Sequence, residues 1–470
     1  MSDKLTGALQ ENLLTLLCFS TKSAALIRNA VEPELFSSPL YREIVARVVD
    51  FLDRHKAPCG EHLPDLLEDI LNRKDQEAEL AERLVVSVLQ MQGKVNEDYV
   101  VTQLEGFIRG QRLKTAVISA SELLQEGNLE QAEVELDKGL RSRLQLFSPG
   151  LTLAQGWKKA IAGEVRQDVV RTGVKELDAW GLGPGRGEQH LLIGPPKRVK
   201  TWWLVNLGKR ALLARLRVLH VTLELSEAQI IQRYLQSLFS IMRHKARVEV
   251  SRLETDTLGR FVSFEREHVK ERLGLSDAKA MKVVEAKLDK LRFKENLLVK
   301  SFPTGMLTMS GLRAYLDALE RAHNFIPDLL IVDYPDLMKV DPKNLRIDLG
   351  AVFRDLRGLA VERNLIQAVV TQANRIGAEA KLLTDVHASE DFSKIATADT
   401  VITYSQTIAE KELGLARLFV SNTRVSERDR FVVLISQAYP IGQFCLDSAL
   451  MTDGYWARLT AASSGREADE

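Results

Sequence analysis

Between residues 11 and 112, apolar residues recur every three or four positions, the period of helices with one buried face. Leu13, Leu14, Leu16 and Leu17 open the stripe, and residues 24–31, 41–52 and 80–92 continue it. Breakers separate these stretches. Phe36-Ser37-Ser38-Pro39 supplies an N-cap serine followed by a proline at a first-turn position, and Ala57-Pro58-Cys59-Gly60 reads as a turn. The pattern predicts an all-helical domain over residues 1–112. From 103 to 146 the charge density rises while the helical period persists, with Leu129, Ala132, Leu136 and Leu140 carrying the stripe past a break at Gly127-Asn128. Residues 113–150 are therefore expected to form a helical hairpin or linker.

After Phe147-Ser148-Pro149-Gly150 the texture changes. Short apolar runs at 190–193, 218–223, 297–301, 329–332, 365–370 and 400–403 alternate with helical stretches, which predicts parallel βαβ units. Two later, closely spaced runs at 415–421 and 431–436 predict an antiparallel extension of the same sheet. Residues 151–460 thus read as an α/β domain with a mostly parallel sheet, and 461–470 as a polar tail expected to be disordered. The charged stretch 243–296 is expected to be a solvated pair of helices. Composition narrows the picture further: 64 Lys+Arg balance 64 Asp+Glu over 470 residues, which excludes a protein given over wholly to coating nucleic acid but leaves room for local basic tracks. No run approaches the roughly 18 apolar residues of a membrane span, and the N-terminus lacks a signal-type core, so a cytoplasmic protein without membrane contact is expected. Cys18, Cys59 and Cys445 are too scattered for a disulfide framework or a zinc site.

The strongest chemical signal is His190-Leu191-Leu192-Ile193-Gly194-Pro195-Pro196-Lys197-Arg198-Val199-Lys200-Thr201, followed by a helical stretch. A buried strand, a loop opening on glycine and a Lys-Thr pair at a helix start point backbone N–H groups at phosphate, the arrangement of a P-loop NTPase. Gly194, Pro195, Pro196, Lys197, Arg198, Val199, Lys200 and Thr201 are the expected cradle for ATP. Lys200 would reach the β- and γ-phosphates, and the Thr201 hydroxyl would hold Mg²⁺. Val199 stands where the pattern has its second glycine, and a β-branched residue tolerates positive φ poorly. Three further strand ends carry fitting groups. Asp333 ends the run 329–332 and would touch the Mg²⁺ shell; Glu224 follows 218–223 and would orient or deprotonate the attacking water; Gln372 would sense the γ-phosphate. All four strand ends fall at the carboxyl edge of one predicted sheet, where open α/β folds bind ligands. His190 and His220 read as core histidines, and Trp202 and Trp203 as core or interface residues.

These residues resemble the DnaB-type replicative helicases of bacteria and their phage and plasmid relatives. Thr172-Gly173-Val174-Lys175-Glu176-Leu177-Asp178 is similar to the family's entry motif to its RecA-like ATPase domain. Val221-Thr222-Leu223-Glu224-Leu225-Ser226, continuing through Gln229 and Arg233, is similar to its catalytic-glutamate motif. Ile331-Val332-Asp333-Tyr334 resembles the Walker-B motif, and Thr371-Gln372-Ala373-Asn374-Arg375 the fourth helicase motif. Pro33-Glu34-Leu35-Phe36 with Ser37-Ser38-Pro39-Leu40-Tyr41-Arg42 is similar to the helical collar domain. The resemblance implies a homohexameric ring with ATP sites between subunits, single-stranded DNA in the channel, 5′ to 3′ translocation, and a primase or helicase loader as possible partner. It makes Arg424, in Ser421-Asn422-Thr423-Arg424, the residue that completes a neighbour's site, with Asn422 replacing the family's lysine. Channel-facing segments would bring Lys339, Lys343, Arg346, Arg375 and Lys381 to the DNA backbone. Val199 and Asn422 raise a rival reading, a weakened ring acting as scaffold or loading partner. A second rival is a RecA-like ATPase acting on protein or in recombination.

Overall fold

The computed structural model describes residues 7–136 apart from 32, 37, 74, 130, 133 and 134, together with 169–196, 199–244, 247–269, 274–374, 382–384 and 393–464. The chain divides into two compact units, Met1–Trp157 and Lys158–Glu470.

In the first unit the described regular elements are all helices, and local chemistry sets where they begin. Ser38 accepts a hydrogen bond from the Tyr41 amide at 3.2 Å, with Pro39 in the first turn of the helix Pro39–His55. Asp75 caps Gln76–Gln90 through the Ala78 amide at 2.9 Å, and Asn96 caps Glu97–Gln125 through the Tyr99 amide at 3.1 Å. Each such cap contributes about 1 kcal/mol. The stripe that begins at Leu13 packs with Phe36, Ile44, Val48, Ala81, Val88 and Leu104 into one core. Truncating Leu13 to alanine there would cost about 2–5 kcal/mol. The helix Glu97–Gln125 passes through residue 112 without interruption.

The second unit is built on a nine-stranded sheet in the order β11-β10-β9-β8-β1-β7-β6-β2-β5. Its strands are β1 Gln189–Gly194, β2 Val218–Thr222, β5 Leu297–Ser301, β6 Leu329–Asp333, β7 Ile366–Gln372, β8 Thr400–Ser405, β9 Leu415–Thr423, β10 Phe431–Ser436 and β11 Ser448–Leu450. From β8 across to β5 all neighbours are parallel, and β9 to β11 extend the sheet antiparallel. The central strands are apolar on both faces because both are covered. Leu192, Ile331 and Val370 meet Trp203, Leu207 and Tyr234 on one side. Leu191, Leu330 and Val369 meet Leu316, Phe353 and Leu356 on the other.

The charged stretch departs from the expected helix pair. It folds as an antiparallel hairpin, β3 Val248–Thr255 with β4 Phe261–Val269, followed by one helix, Ala278–Leu288. Val248 and Val250 alternate inward while Glu249 points outward, so a period of two was present beneath the charge density that suggested helices. The hairpin docks onto β9 to β11: Phe261 packs with Leu413, Leu434 and Ala449, and Ser251 Oγ donates to the Leu413 carbonyl at 2.6 Å. The final helix, Tyr455–Ser464, continues into the stretch read as a disordered tail.

Candidate functional site

Gly194 closes β1, and the stem of Lys200 folds back over it, so that a Cβ on Gly194 would sit 3.3 Å from Lys200 Cγ. The helix Lys200–Leu213 starts from Val199, which adopts φ +56° and ψ −41°. The glycine-type turn is therefore kept by a β-branched residue, at a strain of about 1–3 kcal/mol. The Val199 side chain is buried in the core beneath the helix, which offsets part of that strain. Lys200 is buried, donates from Nζ to the Pro195 carbonyl at 3.2 Å, and lies 5.5 Å from the centre of the Tyr334 ring. Burial holds its ammonium below the ordinary lysine range against the pull of Asp333, Glu224 and Asp336. Lys197 and Arg198 of the same loop lie outside the described residues.

Asp333 ends β6 with 0% exposure, and neither of its carboxylate oxygens has a hydrogen-bond partner. Burial raises its pKa to about 6; the Thr201 hydroxyl, although outside hydrogen-bond geometry, Arg233 and Lys200 pull it down, while Glu224 pushes it up. A buried carboxylate without donors is costly unless it meets a cation. One such carboxylate beside a buried threonine hydroxyl fits Mg²⁺, which takes few protein ligands and completes its shell with water and phosphate.

Glu224 lies just past β2, exposed beside Lys200, Thr201 and Arg233. Its position is fixed by the preceding residue: the Leu223 amide donates to the Asp333 carbonyl at 2.8 Å, and Thr304 Oγ1 donates to the Leu223 carbonyl at 2.7 Å. Gln372 ends β7 in register with Gly194, and the Ala373 amide donates to the Gly194 carbonyl at 3.0 Å. The phosphate loop, Gln372, Asp333 and Glu224 thus follow one another along the carboxyl edge of β1, β7, β6 and β2. Arg233 comes from the helix Glu227–Phe239, which opens with a Ser226/Gln229 capping box, and lies 5.4 Å from the Trp202 ring. Burial lowers its pKa against the attraction of Asp333 and Glu224.

The loop opens into a cavity of about 1090 Å³ whose other wall sequence reasoning missed. Arg247, Glu249, Arg266 and His268 line it from the hairpin segment. Tyr439 comes from beyond β10 and stacks on Trp202 at 5.7 Å, with 21° between the rings. Glu249 pairs with Arg266 and lies 3.4 Å from His268, so the hairpin wall carries internally paired charges. The missed signal was the strand alternation around Glu249.

The Thr172–Asp178 motif proves structural within this unit. Asp178 accepts from the Thr172 amide and hydroxyl at 2.6 and 2.8 Å and from the Gly173 amide at 3.0 Å, while Asn206 of the phosphate-loop helix donates to the Thr172 carbonyl at 2.7 Å. Arg424 is not brought to the loop of its own chain. It follows β9 where Thr423 pairs with Thr400 at the start of β8, donates to the Ala396 carbonyl at 2.7 Å, and lies 3.8 Å from Asp399. β1 itself spans roughly 16 Å from that edge to Gly194. Asn422 is exposed. Lys339, Lys343 and Arg346 are exposed, the last in the first turn of the helix Leu345–Glu362, whereas Arg375 and Lys381 lie outside the described residues. His190 and His220 are buried; the first lies 3.2 Å from the Leu182 carbonyl and the second 3.0 Å from the Tyr234 hydroxyl, and burial lowers the His220 pKa to about 3. Trp203 is fully buried. Among the described residues, no helix is long and apolar enough to cross a membrane.

Residues 169–424 match the DnaB-like helicase C terminal domain family. A curated relative, the DnaB-like replicative helicase of Enterobacteria phage T4, is 33% identical over 132 residues, 26% of this chain and 27% of that protein. A DnaB-like replicative helicase solved for its interactions with primase covers 95% of this chain and 99% of its own at 14% identity, with a TM-score of 0.56, a likeness of fold.

Proposed function

From the membership of this chain in the DnaB-like helicase family, we propose that it is an ATP-hydrolysing ring motor that moves along single-stranded DNA during replication. The observation that carries this reading is Asp333: a buried carboxylate with two unpartnered oxygens, beside Lys200 and Thr201, at the mouth of a phosphate-loop cavity. In this reading the amides of the loop and Lys200 bind the triphosphate, Thr201 and Asp333 hold Mg²⁺, and Glu224 takes the proton of the attacking water while Gln372 contacts the γ-phosphate. Mg²⁺ when bound neutralises developing phosphate charge. Arg424 sits too far from its own loop to serve it, which supports a role at a neighbour's site across a homohexameric interface. Lys339, Lys343 and Arg346 offer exposed cations for a sequence-independent grip on the DNA backbone, joined by Arg375 and Lys381. A primase is the proposed partner, movement is 5′ to 3′, and the protein acts in the cytoplasm.

The test is steady-state ATPase with and without single-stranded DNA. Stimulation by DNA in the unaltered protein, lost in Lys200→Ala and Glu224→Gln, is expected; ATPase persisting in both variants would sink the site assignment. Mixing Arg424→Ala with Lys200→Ala protein should restore turnover at mixed interfaces, and no recovery would argue against the trans role. A second reading, a weakened ring serving as scaffold or loading partner, is favoured by Asn422 in place of a cation. It predicts ATP binding without turnover in the unaltered protein.

A further inference from the structure

Among the described residues Lys394 is the most deeply buried lysine, with 0% exposure. It lies in the first turn of the short helix Ser393–Thr397, its Nζ sits over the Phe353 ring 5.6 Å from the ring centre, and Nζ donates to Asp336 Oδ1. The same oxygen accepts from Thr371 Oγ1 at 3.0 Å. Both neighbours stand directly behind the site: Asp336 lies in the turn Pro335–Leu337 that follows Asp333, and Thr371 precedes Gln372 on β7. None of the three lines the cavity. Asp336 nevertheless reaches it by charge, because its carboxylate acts on both Lys200 and Tyr334. Its second oxygen, Oδ2, is buried without a hydrogen bond.

The charge balance gives this pair its meaning. Among the described residues, the charges acting on one another at the floor of the site are Asp333, Glu224 and Asp336 against Lys200 and Arg233, and a nucleoside triphosphate with Mg²⁺ adds further negative charge. An uncompensated Asp336 would repel that anion and compete with it for Lys200, the more so because Lys200 and Asp336 are largely shielded from water. We propose that Lys394 is a positioning residue for ATP, which neutralises Asp336, holds it off Lys200, and ties the strand ends carrying Asp333 and Gln372 into one unit. The proposal rests on the ATP-binding reading of the site.

The test measures binding of a fluorescent ATP analogue with Mg²⁺, together with thermal melting, on the full chain. Lys394→Met should weaken nucleotide binding about tenfold or more, because it leaves a buried carboxylate unpaired. The double variant Lys394→Met with Asp336→Asn removes both charges and should return binding to within about threefold of the unaltered protein. A merely structural lysine would not show that recovery in binding at equal folded fraction. Unchanged affinity in Lys394→Met, or a folded double variant as weak as the single one, would overturn the proposal. If Lys394→Met does not fold, the double variant alone decides: tight binding supports the proposal and weak binding overturns it. Failure of the unaltered protein to bind the analogue would overturn the ATP reading itself, and the proposal with it.

Discussion

Two buried carboxylates in the α/β unit are treated in opposite ways. Glu410 is saturated: its oxygens accept from Arg417 Nε and Nη2 at 2.6 and 3.0 Å, from the Tyr455 hydroxyl at 2.8 Å and from the Thr407 amide at 2.6 Å. Arg417 in turn lies 4.8 Å from the Trp456 ring. Asp333, equally buried, has no hydrogen bond at all. A carboxylate whose four lone-pair directions are filled by the fold has nothing left to offer a ligand, and its work is to fasten the helix Tyr455–Ser464 to β9. A carboxylate left bare by an otherwise well-packed fold is held ready for something brought from outside, and its cost to the fold is the mark of that use.

The sharpest break in this comparison would come from Glu410→Ala, which strands a buried arginine. It should destabilise the protein by about 3–5 kcal/mol in urea unfolding; a loss under about 1 kcal/mol would show that the network does not fasten the fold. Asp333→Asn should do the reverse. The folded protein holds a proton on Asp333 up to a pH of about 6, against 3.8 for an ordinary carboxyl. Its contribution to stability is thus full below pH 3.8 and is lost as the pH rises through 6. Asparagine removes that loss, so the variant should be more stable than the native protein above pH 6, by about 3 kcal/mol at most. The advantage should fade below pH 4 in melts across that range, and its absence at pH 8 would mean that Asp333 carries no penalty. The smallest effect is expected at the partly exposed Arg363–Asp317 pair, 2.6 Å apart. Asp317→Asn should cost less than about 1 kcal/mol; a larger loss would show that burial is not what separates these pairs.

Much of the fold was legible because its strands are buried on both faces. The apolar runs around Leu191, Leu219, Leu330 and Val369 have no solvent side and stand out from the charged helices between them. The hairpin was not, because Glu249, Arg252, Glu254, Glu265 and Arg266 interleave with its apolar residues, and charge density outweighed alternation. The strand-end groups Lys200, Glu224, Asp333 and Gln372 were legible by the same logic as the strands they follow. The hairpin wall, Tyr439 and Lys394 were not, since each enters through a contact distant in sequence. A lysine reads as solvated until the structure shows its Asp336. Thr172 and Asp178 show the complementary limit, for a motif recognised by resemblance turned out to clasp a helix start.

The hairpin that roofs the cavity also sets an order of assembly in time. Lys200 and Thr201 leave the ribosome long before Tyr439, and the hairpin has no surface to dock on until Leu413, Leu434 and Ala449 have been made. Domains fold as units during synthesis, and β1, which carries the phosphate loop, is flanked by the late strands β7 and β8, so the walled cavity is a property of the finished polypeptide.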